Sequence, residues 1–244
     1  MRLHLIIPVI NEIENLRELL PYLAGELAGR GSITVADGGS TDGTEQLLRA
    51  AFSPERGRFG RGTQVQYLSC KERGRAPQMN EAAARELGRY DVLYFMHADT
   101  RPPQGFYDDI RRSVAAGYPA GCYRFRFDSS SPLLAINAFC TRFKGLACRG
   151  GDQSLYLTRE TWRQLGGYDG EMMIMEDYDI IQRIWREEIP FRVMPRSITV
   201  SARKYRVNSW LRVQLANWKV FRMYKAGAAG EEMIRVYRGR LRAW

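Results

Sequence analysis

Residues 3–116 repeat one pattern four times: a short apolar run stops at polar or glycine-rich residues and is followed by apolar positions at helical spacing. The runs are LHLIIPVI at 3–10, Ile33 to Ala36, Val65 to Cys70 and Val92 to Met96. The helical segments are carried by Leu16, Leu19, Leu20, Leu23 and Leu27, by Leu47, Leu48 and Ala51, by Ala76 to Leu87, and by Pro103 to Ala116. Asn11 with Glu14 is the expected cap of the first, and Pro21 is expected to kink or restart it. Strands alternating with helices at this spacing predict an α/β fold with a doubly wound parallel sheet, whose ligands bind beyond the carboxyl ends of the strands. That rule selects Pro8 to Glu14, Asp37 to Asp42, Cys70 to Asn80 and His97 to Pro103 for close reading.

The second half is less regular. Tyr123 to Asp128 alternates as a strand, Pro132 to Leu146 reads as helix, Ser154 to Leu157 as a short strand and Arg159 to Leu165 as a short helix. Glu176 to Arg186 is a further helix, Phe191 to Met194 and Ile198 to Ala202 are two strands, and Trp210, Leu211, Gln214, Leu215, Trp218, Phe221 and Tyr224 trace one helix face. No Pro/Ser-rich linker divides the 244 residues, and 45% hydrophobic residues supply a core, so a single globular domain is expected and disorder is excluded. No window of 18 apolar residues occurs, so neither a membrane span nor a secretory signal is expected. Cys70, Cys122, Cys140 and Cys148 lack CxxC pairing and accompany only His4 and His97, which argues against a zinc cluster or a disulfide framework and for a reducing cytoplasm.

The net charge of +10 is unevenly placed. Residues 1–201 hold 26 basic and 25 acidic side chains, whereas residues 202–244 hold 11 and 2. This basic tail admits three readings: a solvated amphipathic helix packed on the domain, a rim that gathers diphosphate, or a surface touching anionic lipid at the inner membrane face. Nucleic acid is not expected as a partner, because charge without a binding motif is weak evidence.

Three of the four sheet loops carry a carboxylate, at Glu12, Asp37 and Asp99. Carboxylates and amides converging on the crevice can hold a base and ribose, with backbone N–H groups facing phosphate; Asp-Gly-Gly-Ser is equally good turn chemistry. Asp99 ends the apolar run 92–96 in His97-Ala98-Asp99-Thr100, where it suits either Mg²⁺ or Mn²⁺ against a diphosphate or a helix cap, with His97 on the same side of the extended chain. Glu176, Asp177 and Asp179 open a helix, where the dipole favours them; three crowded carboxylates also raise the pKa of a base.

Taken in order, Ile7-Pro8-Val9-Ile10-Asn11-Glu12, Ala36 to Thr44, His97-Ala98-Asp99-Thr100 and Glu176-Asp177 resemble the signature of family 2 glycosyltransferases with the GT-A fold, over about four fifths of the chain. The resemblance implies a Rossmann-like, doubly wound, mostly parallel sheet with a helical C-terminal extension. It divides the chain into a catalytic domain at 1–205, nucleotide-sugar side 1–117 and acceptor side 118–205, and a basic helical tail at 206–244. It implies that Pro8, Val9, Glu12, Asp37 and Gly38 grip the nucleotide, that the segment with Arg73, Arg75 and Asn80 lies over base and phosphates, and that Asp99 binds a divalent cation, Mn²⁺ or Mg²⁺. His97 replaces the first aspartate of the family's Asp-x-Asp metal motif. Asp177 matches the general base, with Glu176, Asp152 and Gln153 on the acceptor side. The implied reaction is metal-dependent, inverting transfer of a hexosyl-type sugar from a nucleoside diphosphate, UDP foremost, to an acceptor hydroxyl.

Gln214 and Trp218 retain part of the processive Gln-x-x-Arg-Trp motif, but Asn217 stands at the Arg position, so a polymer synthase is not expected. Ser201-Ala202-Arg203-Lys204-Tyr205 and the short length resemble a subgroup of small stand-alone bacterial members, some linked with arsenosugar biosynthesis, which offers one candidate class of acceptor. A catalytically silent nucleotide-sugar binder is the alternative from another class. Sugar-phosphate nucleotidyl transfer is disfavoured, since its Gly-rich first loop is missing from Pro8 to Glu12.

Overall fold

The computed structural model describes residues 1–51, 58–59 and 62–243. Its strands are β1 (Leu3–Val9), β2 (Gly31–Asp37), β3 (Arg58–Phe59), β4 (Thr63–Ser69), β5 (Val92–Phe95), β6 (Thr100–Arg101), β7 (Ala120–Phe127), β8 (Leu155–Thr158) and β9 (Phe191–Val200). Its helices are α1 (Ile13–Leu27), α2 (Thr44–Ala51), α3 (Arg75–Glu86), α4 (Phe106–Ala115), α5 (Pro132–Cys140), α6 (Arg159–Leu165), α7 (Glu176–Arg186), α8 (Arg203–Val207), α9 (Trp210–Lys225) and α10 (Gly230–Arg240).

One sheet of order β3-β4-β2-β1-β5-β8-β7-β9-β6 holds the described strands. β4, β2, β1 and β5 run parallel, as their crossover helices require, and β1 is buried along its whole length. β8 enters antiparallel between β5 and β7, and β9 runs parallel to β7. One apolar core, including Leu5, Ile7, Leu16, Leu23, Tyr94 and Phe106, fills one face; the other packs Met79, Phe95, Trp162 and Ile180.

Pro8 opens the crevice. Met96 N–H donates to the Ile6 carbonyl, and the next rung in this register would need an N–H at residue 8. Proline has none, so β1 and β5 part there while β1 and β2 stay paired to Val9 and Asp37.

Four expectations are corrected. α1 runs unbroken through Pro21, because Pro21 and Arg17, whose carbonyl loses its partner, both face solvent. Its first N–H is capped from afar: Ile13 N donates to Asp42 Oδ2 at 3.0 Å, whereas Asn11 adopts φ 57° and accepts the Thr41 N–H at 2.7 Å. The two strands expected at 191–202 are one, since Pro195 and Arg196 are absorbed where the β7 register jumps from Tyr123–Met194 to Arg124–Ser197. The helix expected to reach Leu146 stops at Cys140. The basic tail is α8, α9 and α10, reversed at Gly227 with φ 73°, and α9 buries Val220 and Met223 against Met233 of α10.

Candidate active site

Asp37 ends β2 and is buried. Its Oδ1 accepts Gly39 N–H at 3.2 Å, Ser40 N–H at 2.9 Å and Ser40 O–H at 2.7 Å, and Oδ2 accepts the Tyr67 hydroxyl at 3.0 Å. Three bonds from its own loop and one from Tyr67 of β4 occupy this carboxylate, so Asp37 shapes the wall at Gly38 from within. Burial, then the hydrogen bond to Asp37, pushes the Tyr67 phenol up to about 12.

Gln78, which sequence reasoning missed, ties the strand ends together. Its Nε2 donates to the Val9 carbonyl at 3.0 Å and the Ala36 carbonyl at 2.6 Å, while Oε1 accepts Gly74 N–H at 3.2 Å. A Cβ on Gly38 would stand 2.8 Å from Gln78 Oε1, which is why glycine follows Asp37. The legible signal was a buried glutamine among Ala76, Met79, Ala82 and Ala83 on the apolar face of α3.

Glu12 and Asp99, on different loops, meet at Arg203. The guanidinium forks onto Glu12 with Nη1–Oε2 at 3.0 Å and Nη2–Oε1 at 2.6 Å, and Nη2 lies 3.3 Å from Asp99 Oδ2. Sequence reasoning placed Arg203 only in the Ser201 to Tyr205 segment and gave it no role in the cleft, since its partner Glu12 lies 191 residues away. Burial raises the Asp99 pKa; His97 and Arg203 pull it down, while Asp152 and Glu12 push it up, and the balance is upward.

His97 Nδ1 stands 3.8 Å from Asp152 Oδ1. Burial and Arg75 act to lower the His97 pKa, but Asp152 and Asp177 outweigh them and raise it. Burial acts upward on Asp152, yet His97, Lys204 and Arg75 bring it to about 2. At the start of α7, Glu176 is buried with Oε1 unbonded and 3.6 Å from Arg75 Nη1, whose side chain is 57% exposed. Burial first, then the neighbouring charge of Glu176, pushes Asp177 up to about 7 against the pull of His97 and Arg75.

Met96, His97, Arg149, Gln153, Tyr168 and Asp177 line one cavity beneath the crevice. Arg149, also missed, is buried and holds its wall through Nη1 to Gln153 Oε1 at 3.1 Å and Nη2 to the carbonyls of Thr141, at 2.8 Å, and Phe143. The structure therefore brings Glu12, Asp99, His97, Asp152, Gln153, Glu176, Asp177 and Arg75 into one linked cluster. Asn80 stands apart from it in role: Nδ2 donates to the Tyr168 carbonyl at 2.8 Å and Oδ1 accepts the Tyr168 N–H at 2.9 Å, pinning the loop ahead of α7. Arg73 is exposed, with no hydrogen bond or ion pair among the described residues. Pro8 and Val9 act through backbone, Val9 by its carbonyl.

Residues 4–133, more than half of the chain, match the model of glycosyl transferase family 2. The chain belongs to glycosyl transferase family 2. Comparison with curated proteins returns no match. Among solved structures, the 1–349 region of S. aureus TarS in complex with UDP superposes with a TM-score of 0.63 at 13% identity, over 83% of this chain and 61% of that one. The mannosyltransferase PcManGT from Pyrobaculum calidifontis, in complex with GDP-Man and Mn²⁺, gives 0.65 at 18% identity over 97% and 68%. Glucosyl-3-phosphoglycerate synthase from Mycobacterium tuberculosis, in complex with Mn²⁺, UDP and glucosyl-3-phosphoglycerate, gives 0.54 at 13% identity over 98% and 80%. This family 2 glycosyltransferase thus has the GT-A fold, and it spans about three fifths of the TarS chain it matches.

Among the described residues no three His, Cys, Asp or Glu side chains form a metal cage. The donor chemistry nevertheless fits a divalent cation that takes its remaining ligands from a diphosphate and water. Asp99 offers a carboxylate whose ionised form is disfavoured by burial and by Asp152 and Glu12, the surroundings a hard cation relieves.

Proposed function

We propose that this family 2 glycosyltransferase moves a single sugar from a nucleoside diphosphate, UDP, to an acceptor hydroxyl with inversion at the anomeric carbon. The observation that carries the reading is Asp177: a carboxylate pushed up to about 7 that lines the same cavity as His97 and Gln153. A base of that pKa takes a hydroxyl proton near neutrality. As it does so, the acceptor oxygen bonds to the anomeric carbon, and the bond from that carbon to the diphosphate oxygen breaks with its electron pair leaving on the diphosphate. Arg75, Arg203 and Lys204 supply fixed positive charge on the side of Glu12, Asp99 and Asp152. Asp99, with His97 beside it, would hold the divalent cation, which when bound neutralises charge on the departing diphosphate. Asp152, 3.8 Å from His97 Nδ1, supplies a counter-charge to its imidazole, and Gln153 Nε2, buried and unbonded, offers a donor to a sugar oxygen. The description of TarS and of the mycobacterial synthase with UDP supports the choice of uracil, and Mn²⁺ beside two of the three neighbours supports the cation.

Calorimetric titration of UDP, GDP and CMP, with and without Mn²⁺ or Mg²⁺, tests the donor half of this reading. UDP binding that needs the cation and is lost in Asp99→Ala is expected. Equal affinity with and without cation in both proteins would overturn the metal assignment, and binding of none of the three would overturn the donor class.

A further inference from the structure

Two exposed apolar stripes lie on helices that adjoin. Ile136, Phe139 and Phe143, on α5 and the turn after it, are 54%, 52% and 53% exposed, and Leu211, Leu215 and Trp218 of α9 are 60%, 49% and 55% exposed. The last three share one helix face, opposite the face of Val213, Ala216, Val220 and Met223 that α9 buries. Asn137 joins the helices: its Oδ1 accepts the Trp210 indole N–H at 3.2 Å and its Nδ2 donates to the Tyr205 hydroxyl at 3.2 Å. Single exposed apolar side chains are ordinary; three on one face of α9, with three more on α5 and the turn after it, are a concentration of the kind that marks a docking surface.

The charge on α9 is of one sign. α9 carries Arg212, Lys219, Arg222 and Lys225, all exposed, and no acidic residue, and Arg142 and Lys144 stand exposed beside Phe143. The cations interleave with the rings, since the Arg142 guanidinium lies 5.0 Å over Phe139 and that of Arg222 lies 4.9 Å over Trp218. A second copy of the chain would set this basic surface against itself, which like-charge repulsion opposes.

We propose that this face docks peripherally on an anionic lipid bilayer, its aromatic and leucine side chains entering the headgroup–acyl boundary while Arg and Lys meet lipid phosphates. No helix among the described residues is long and apolar enough to cross a membrane, so the contact is one of surface insertion. The inference rests on exposure and charge alone and stands apart from what the cleft transfers.

Co-sedimentation of the full chain with vesicles of phosphatidylcholine, and of phosphatidylcholine mixed with phosphatidylglycerol, tests it. The expected result is binding to the anionic vesicles about tenfold or more above the neutral ones, weakened by salt. The same loss is expected from Leu215→Glu with Trp218→Glu and from Arg212→Ala with Lys219→Ala and Arg222→Ala. All five sites are exposed, and thermal melting of each variant within a few degrees of wild type keeps misfolding out of the comparison. Absence of vesicle binding at low salt, or full retention of it by the Leu215→Glu, Trp218→Glu protein, would overturn the proposal. So would a lipid-free dimer that the same two substitutions abolish, which would assign the patch to a second copy.

Discussion

Gln78 and Asp177 show two ways in which single side chains serve this cleft. Gln78→Met removes the amide that joins the Val9 and Ala36 carbonyls and leaves buried polar backbone short of partners; a loss of about 2 kcal/mol in unfolding free energy is expected by denaturant titration. UDP affinity is expected to fall with it, because Gly38 rests on that amide. Asp177 works the other way, since the environment that suits a base costs stability. Its folded pKa of about 7 lies above the ordinary value of 3.8, so folding takes up a proton between these values and stability declines as pH rises through that window. Asp177→Asn is therefore expected to melt higher than wild type above pH 7, with the difference vanishing towards pH 4. At this scale Glu12, Asp99 and Asp177 were legible because motif order and loop position mark them. Arg149 and Arg203 were not, because each acquires its meaning only from partners that the fold supplies, a loop carbonyl in one case and two strand-end carboxylates in the other.

Among elements, α8 is the link between the tail and the donor side, through Arg203. Arg203→Ala strips the positive charge from Glu12 and Asp99, and it is expected to weaken UDP binding at limiting Mn²⁺ about tenfold or more, a loss that saturating Mn²⁺ reduces. Calorimetry at several Mn²⁺ concentrations checks this, and a loss that Mn²⁺ leaves unchanged would contradict it. The parallel half of the sheet was legible because β1, β2 and β5 are near-continuous apolar runs between a helix and a polar loop, with β4 an alternating strand at their edge. The apolar pattern divides β9 in two around Pro195 and Arg196; the bulge against β7 and an edge left open until β6 pairs at Thr199 let the strand pass through them. The helical tail expected at 206–244 did not show its division into α9 and α10, because the buried face of α10 is short, centred on Met233, and gains its partner only when the chain reverses at Gly227.

At the scale of the whole molecule, the first half builds the crevice and the second half brings Asp152, Asp177 and Arg203 to it, so the site exists only when both are folded. His4, in the central strand beside Ser32 and stacked on Tyr90, reports that integrity. Burial lowers its pKa from 6.5 to about 3, so the unfolded chain binds a proton that the folded chain refuses, and stability is lost as pH falls below about 6.5 at roughly 1.4 kcal/mol per unit. The stability difference between wild type and His4→Gln, followed by denaturant titration from pH 7 to pH 4.5, is expected to change with that slope; a pH-independent difference would contradict it. The most direct test of the account is turnover of a UDP-sugar, followed as UDP release, in wild type and Asp177→Asn alongside the UDP affinity of each. The account predicts wild-type turnover that rises with pH through about 7, and in Asp177→Asn a loss of roughly 10²–10⁴-fold with UDP affinity retained. Turnover in Asp177→Asn equal to wild type would remove Asp177 from the reaction and the central claim with it.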